Sequence, residues 1–130
     1  MTDEPGFAYV RPVDLARFAA LAPDERLSQK LLDRTSGADS VAVKYIRTPP
    51  GGGSPEGLHT HVVEQVFFVL AGTMTVEVDG AVQQAPAGSL VVFPKNVPHR
   101  NWNDTDAETV HLAIEAPAPQ LGEPFARPVV

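Results

Sequence analysis

The stretch His59-Thr60-His61-Val62-Val63-Glu64-Gln65 carries two imidazoles and a carboxamide at alternate positions. Side chains on a strand alternate between faces, so residues 59, 61, 63 and 65 project together while Thr60, Val62 and Glu64 point away. A local bend could move Gln65 to the other side, but not easily the two histidines. His99 lies 38 residues after His61, beyond at least two antiparallel strands, and can return to the same interior. Imidazole nitrogen is the commonest protein ligand for Zn, Fe, Ni, Cu and Mn-type ions. Two histidines two apart on a strand, with a third from another strand, form one face of a metal site and leave positions for water or substrate. The bland alternative is a set of surface or hydrogen-bonded histidines, which suits the His59/His61 pair taken alone. It loses weight because three of only four histidines in the chain fall in this arrangement.

Strands must position these groups. From His59 onward they are expected over 59–70, 73–78, 81–84, 90–93, 98–103 and 108–115. Asp79-Gly80 between alternating runs is a hairpin signal. Upstream, 27–33 reads as a strand, Ser36-Gly37-Ala38-Asp39 as a turn, and 40–47 as a strand with Val41, Val43 and Tyr45 on one face. Val13, Leu15, Phe18, Ala19 and Leu21 recur at helical spacing and stop before Pro23, predicting one short helix. Residues 48–57 are too rich in Pro and Gly for regular structure and read as a solvent loop or the mobile lip of a pocket. The organisation is then a lead-in with the short helix over 1–26, a β-barrel over 27–115, and an extended arm with four prolines over 116–130.

Composition agrees with an all-β fold. Thirteen Pro and ten Gly among 130 residues would break long helices but suit short strands joined by turns. The length fits one domain. A net charge of −6 argues against a nucleic-acid partner, which needs a basic face, and against an anionic membrane surface. Cysteine is absent, so disulfides, thiolate ligands and a cysteine nucleophile are excluded. The opening residues lack a secretory pattern and the longest apolar run, Val66 to Ala71, is far shorter than the ~20 residues of a membrane span. A cytoplasmic protein is expected.

Two motifs resemble those of the cupin superfamily. The first reads Gly, five residues, His-x-His, three or four residues, Glu, six residues, Gly; Gly53, His59, His61, Gln65 and Gly72 fall on it. The second reads Gly, five residues, Pro-x-Gly, two residues, His, three residues, Asn; Gly88, Pro94, Asn96, His99 and Asn103 fall on it. All ten positions agree in spacing and eight in residue type. The resemblance implies a jelly-roll β-barrel with one divalent transition metal (Fe, Mn, Ni or Zn) on His59, His61, Gln65 and His99. Asn96 replaces Gly at a turn, a mild change because Asn tolerates the left-handed region. Gln65 replaces the ligand Glu. Three neutral imidazoles and a neutral amide leave a divalent ion its full charge, making it the stronger Lewis acid but more weakly held. Glu64 is the alternative fourth ligand, although it is expected to point outward.

With His59 inward, Val63, Phe67 and Val69 line the barrel, and Phe68 and Leu70 form an apolar outer face. Either the N-terminal segment or a second subunit of a homodimer would cover it. In the last strand, His111, Ala113 and Glu115 share one face and Val110, Leu112 and Ile114 the other. Either the aliphatic set faces the core and His111 is exposed, or His111 reaches the pocket as a catalytic acid/base. The resemblance to small cupins with a His-His-Gln-His site implies the second. Tyr45 is a weaker candidate, while Arg100 and Trp102 read as surface and packing residues. The function expected is metal-dependent action on a small, oxygen-bearing organic substrate, by lyase or isomerase chemistry or, with Fe(II), as a dioxygenase. The non-enzymatic alternative is a metal-anchored module that binds or senses a small ligand.

Overall fold

The structure is a computed structural model that describes residues 8–54, 57–120, 122 and 126–129. It contains α1 (Leu15–Ala19), β1 (Leu27–Leu32), β2 (Ala42–Thr48), β3 (His59–Thr60), β4 (Glu64–Ala71), β5 (Thr73–Val78), β6 (Ala81–Pro86), β7 (Leu90–Phe93), β8 (His99–Trp102), β9 (Thr109–Ala116) and β10 (Arg127–Pro128). The strands form two five-stranded sheets, ordered β1-β2-β9-β4-β7 and β10-β3-β8-β5-β6, with antiparallel pairing throughout. This is the all-β jelly-roll barrel with one short helix that the sequence predicts. Ile46, Phe67, Val69, Met74, Val76, Val91, Phe93 and Ala113 fill the space between the sheets. Asp14 caps α1 by accepting a hydrogen bond from the Arg17 amide, and the helix ends just ahead of Pro23.

The expected strand over 59–70 is two strands in different sheets. β3 pairs with β8, whereas β4 pairs with β7 and β9, and residues 61–63 carry the chain across. A single extended run would have had to stay in one sheet; closing the barrel forces the crossover. The inward–outward alternation survives it. His61, Val63, Gln65, Phe67 and Val69 are buried, while Val62, Glu64, Phe68 and Leu70 are exposed.

Several motif residues shape the backbone around this crossover. Asn96 has φ 61 and donates its backbone N–H to the His61 carbonyl at 2.7 Å, tying the turn before β8 to the crossover. Gly72 has φ +76, and a Cβ there would meet the Glu108 carbonyl at 2.3 Å, so a side chain at 72 would push apart the β4–β5 turn and the start of β9. Asn103 is buried and structural: its amide donates to the carbonyls of Thr48 and Ala107, and its side-chain oxygen accepts from Thr105.

The Pro/Gly-rich segment before β3 is fastened. Gly51 donates to the Asn103 carbonyl at 2.8 Å, Asn103 to the Gly52 carbonyl at 2.8 Å, and Ser54 to the Asn101 carbonyl at 2.9 Å. Gly53 lies against the Trp102 backbone, where a Cβ would not fit. In β2, the face of Val43 and Tyr45 turns out of the barrel, with Tyr45 edge-on to Phe18 of α1 at 4.9 Å. The inward face therefore carries Ala42, Lys44, Ile46 and Thr48. Past β9, the Ala118 amide bonds to the Ser40 carbonyl and β10 adds to the edge of β3.

Candidate metal centre

His59 and His99 are register partners on β3 and β8, and His61 stands at the crossover immediately after β3. Their rings lie 4.4 Å (59–99), 4.8 Å (61–99) and 5.0 Å (59–61) apart between centroids. One nitrogen from each ring lies within 4.8 Å of the others, close enough for small side-chain adjustments to bring all three onto one ion. Among the described residues this is the one group of three or more His, Asp or Glu so placed.

His99 shows most clearly that these residues fit a metal. Its Nδ1 is 3.0 Å from the Val97 carbonyl, which can only accept, so Nδ1 carries the proton and Nε2 presents a lone pair. That Nε2 is buried and has no hydrogen-bonding partner among the described residues. A backbone carbonyl on one imidazole nitrogen and an unmet lone pair on the other is the arrangement of a metal-ligating histidine. The ring also packs on Phe93 at 4.4 Å. Burial, together with the neighbouring His59 and His61, holds His99 down to about pKa 4, against the opposing pull of the Val97 carbonyl. Burial and His61 lower His59 as well. Both imidazoles are therefore neutral at neutral pH, the form that binds metals.

Gln65 is buried on β4 and lines the same cavity as His59 and His61, while Glu64 points to solvent. The cavity has a volume of about 460 Å³, suited to a small organic molecule. Lys44 and Glu115 also line it, with Lys44 Nζ 3.9 Å from Glu115 Oε1. Glu115 is 1% exposed and stands opposite Gln65 in the β4–β9 register, and its Oε2 has no hydrogen-bonding partner among the described residues. Burial pushes its carboxyl up, partly offset by Lys44 and by the neighbouring Gln65 amide. Arg26, Ser28 and Ser54 add further polar groups to the lining, with Ile46, Phe67 and Ala113 as apolar wall.

His111 faces inward and is fully buried, which removes the exposed alternative. Its ring stacks at 4.3 Å on Phe67, and it is not among the residues lining the cavity; Phe67 is. Neither ring nitrogen has a hydrogen-bonding partner among the described residues. Burial, with a smaller contribution from Arg26, lowers it to about 4. Tyr45 packs against the helix, and Arg100 lies over the Trp102 ring at 4.1 Å, both as packing residues.

Lys44 and Glu115 had no local signature as site residues. Lys44 stands between two apolar neighbours, and Glu115 ends a strand whose other face is aliphatic. The usable signal was alternation: placing His111 inward also carries Glu115 inward.

A two-sheet β-barrel with three converging imidazoles in its wall defines a class of small metal-site barrels. Residues 44–115 match the cupin domain family, and the chain belongs to it. It is 34% identical over 95 residues to Protein SchB of Streptomyces halstedii, covering 71% of this chain and 68% of SchB. Its fold is similar to that of the polyketide cyclase RemF from Streptomyces resistomycificus, with a TM-score of 0.67 and 24% identity over 82% of this chain and 72% of RemF. It also resembles the DMSP lyase DddQ from Ruegeria pomeroyi, with a TM-score of 0.64 and 23% identity over 78% of this chain and 50% of DddQ. Among the described residues no helix is long and apolar enough to cross a membrane.

Proposed function

We propose that this chain is a metal-dependent enzyme acting on a small, oxygen-bearing organic molecule through lyase-, isomerase- or cyclisation-type chemistry, in which protons move and no oxidant is consumed. The observation that carries this reading is the convergence of three imidazoles, two of which line a cavity that also holds a Lys44–Glu115 pair. His59, His61, His99 and Gln65 would hold a divalent ion such as Zn, Mn, Ni or Fe. Bound there, the ion would polarise a carbonyl or hydroxyl oxygen. The four neutral ligands leave its charge undiminished, which favours an enolate, alkoxide or carboxylate over a neutral ligand. Lys44 offers hydrogen-bond donors and Glu115 Oε2 an acceptor to the rest of the substrate. Phe67, Ile46 and Ala113 exclude water from one wall, and the buried His111 ring packs on Phe67 behind it. The names of two similar structures, a cyclase and a lyase, support the same reaction class.

The test is turnover of β-hydroxy and β-keto acids and of polyphenolic ketones by protein reconstituted with Zn or Mn under anaerobic conditions. Turnover that persists without oxygen and with a redox-inert metal is expected. Activity confined to Fe(II), with matching oxygen consumption, would instead establish a dioxygenase. Binding of the same compounds without conversion would make the chain a ligand-binding module.

We also propose that a second copy of the chain covers the outer face of the β4–β7 edge. Phe68, Leu70, Leu90 and Val92 remain 38–61% exposed there, so the described N-terminal residues leave this face open. Phe68 and Leu90 are cross-strand partners, and β7 is an edge strand, giving a continuous apolar strip without charge. Sedimentation equilibrium should find a dimer for the wild type and a monomer for Phe68→Glu; a wild-type monomer would refute the assembly.

A further inference from the structure

Lys44, Glu115 and Gln65 come from β2, β9 and β4, three strands adjacent in one sheet. Gln65 and Glu115 are register partners, both buried and both facing the cavity. Lys44 Nζ lies 3.9 Å from Glu115 Oε1 on the side towards β2. The three side chains thus form a row across the sheet whose Gln65 end shares the cavity wall with His59 and His61.

The chemistry of the row gives it a direction. A carboxylate has only acceptor atoms, and a primary amide has one donor end and one acceptor end. Standing opposite Glu115 across the β4–β9 register, the Gln65 amide can hydrogen-bond to that carboxylate only through its NH2 group, which turns its carbonyl oxygen from Glu115. Orientation matters here, because the NH2 end of an amide offers no lone pair to a cation and only its oxygen can ligate. A glutamine without such a partner could present either end.

Resting on the metal-site reading above, we propose that Glu115 is a positioning residue of the metal centre. Its carboxylate takes the NH2 end of Gln65 and so presents the Gln65 oxygen to the ion shared with His59, His61 and His99, while Lys44 steadies Glu115 from the opposite side. The carboxylate that position 65 lacks is thereby kept in the site, one side chain further from the ion.

The test uses Co(II) as the probe on the full chain, reading affinity by chelator competition and ligand geometry by the visible d–d absorption. Glu115→Ala should weaken Co(II) binding about 10–100-fold, the usual cost of removing a partner that orients a ligand, and should alter the absorption envelope. Glu115→Gln keeps an acceptor for the Gln65 NH2 and should retain affinity within about threefold, which separates orientation from charge. In a Gln65→Ala background the Glu115→Ala loss should shrink to less than about threefold, because Glu115 acts only through Gln65. Glu115→Met, which fills the same space without an acceptor, replaces the alanine variant if circular dichroism finds the latter unfolded. An unchanged affinity in Glu115→Ala or Glu115→Met, or an equal loss with and without Gln65, overturns the inference while leaving the metal site standing. A wild-type chain that binds no Co(II) removes the metal site itself, and this inference with it.

Discussion

His99→Ala is expected to reduce bound metal from about one ion per chain to less than a tenth, while the barrel remains folded. Three features make His99 the most consequential of the three histidines. Its Nδ1 is fixed by the Val97 carbonyl, its Nε2 has no other partner, and burial holds it neutral down to about pH 4. A four-ligand zinc site is worth about 10–16 kcal/mol, so one ligand carries roughly 3 kcal/mol, about 100-fold in affinity. The lost ring also leaves a gap against Phe93, but Phe93 keeps its contact with Phe67 and the sheets keep their pairing, so circular dichroism should still report a folded chain. Elemental analysis of protein purified without an affinity tag measures the ion directly. His111→Gln is the matched control: its ring lies outside the cluster, so metal content should be unchanged. Full occupancy in His99→Ala would dissolve the proposed centre.

The parts of this site that could be read from the sequence are those carried by short spacing. His59 and His61 share a face because of strand geometry alone, and both motifs span only residues 53–103. Even so, local geometry misplaced the strand that holds them. The reading of 59–70 as one strand put His59 and Gln65 in the same sheet, whereas the crossover at 61–63 places His59 in one sheet and Gln65 in the other. The side chains still converge because a barrel has a single inside, so alternation outlasts the change of sheet.

Lys44 and Glu115 were hidden for a different reason. Their meeting depends on β2 and β9 being neighbours, a long-range fact that no window of sequence contains. Hydrophobicity also misdirects in β2: the face of Val43 and Tyr45 turns out of the barrel, Tyr45 meeting Phe18 of the helix, and the more polar face lines the cavity. In β9 the same conflict left His111 undecided. Thr109, His111, Ala113 and Glu115 all point inward, an unusual load of polar side chains for a core face. A site that must hold a cation and an oxygen-rich ligand requires polar groups where a purely structural barrel would bury aliphatic ones.

That polar load has a consequence for acid stability, which His111 exposes most cleanly. In the unfolded chain a histidine titrates near 6.5; in the folded protein His111 is held to about 4, mainly by burial. As the pH falls through 6.5, the unfolded state takes up a proton that the folded state refuses until about pH 4. The unfolded state therefore binds more protons across that window, and stability falls with pH within it and levels off below. A shift of this size corresponds to roughly 3 kcal/mol between pH 7 and 4. His99 and His59 push in the same direction, and Glu115, whose carboxyl is raised, pushes in the opposite one. Comparing wild type with His111→Met cancels those shared contributions. Urea unfolding of the metal-stripped proteins at pH 7 and 4 should find that wild type loses roughly 3 kcal/mol more than the variant. Parallel losses would mean that the ring behind Phe67 accepts its proton without unfolding, and that the wall between His111 and the cavity is open to water.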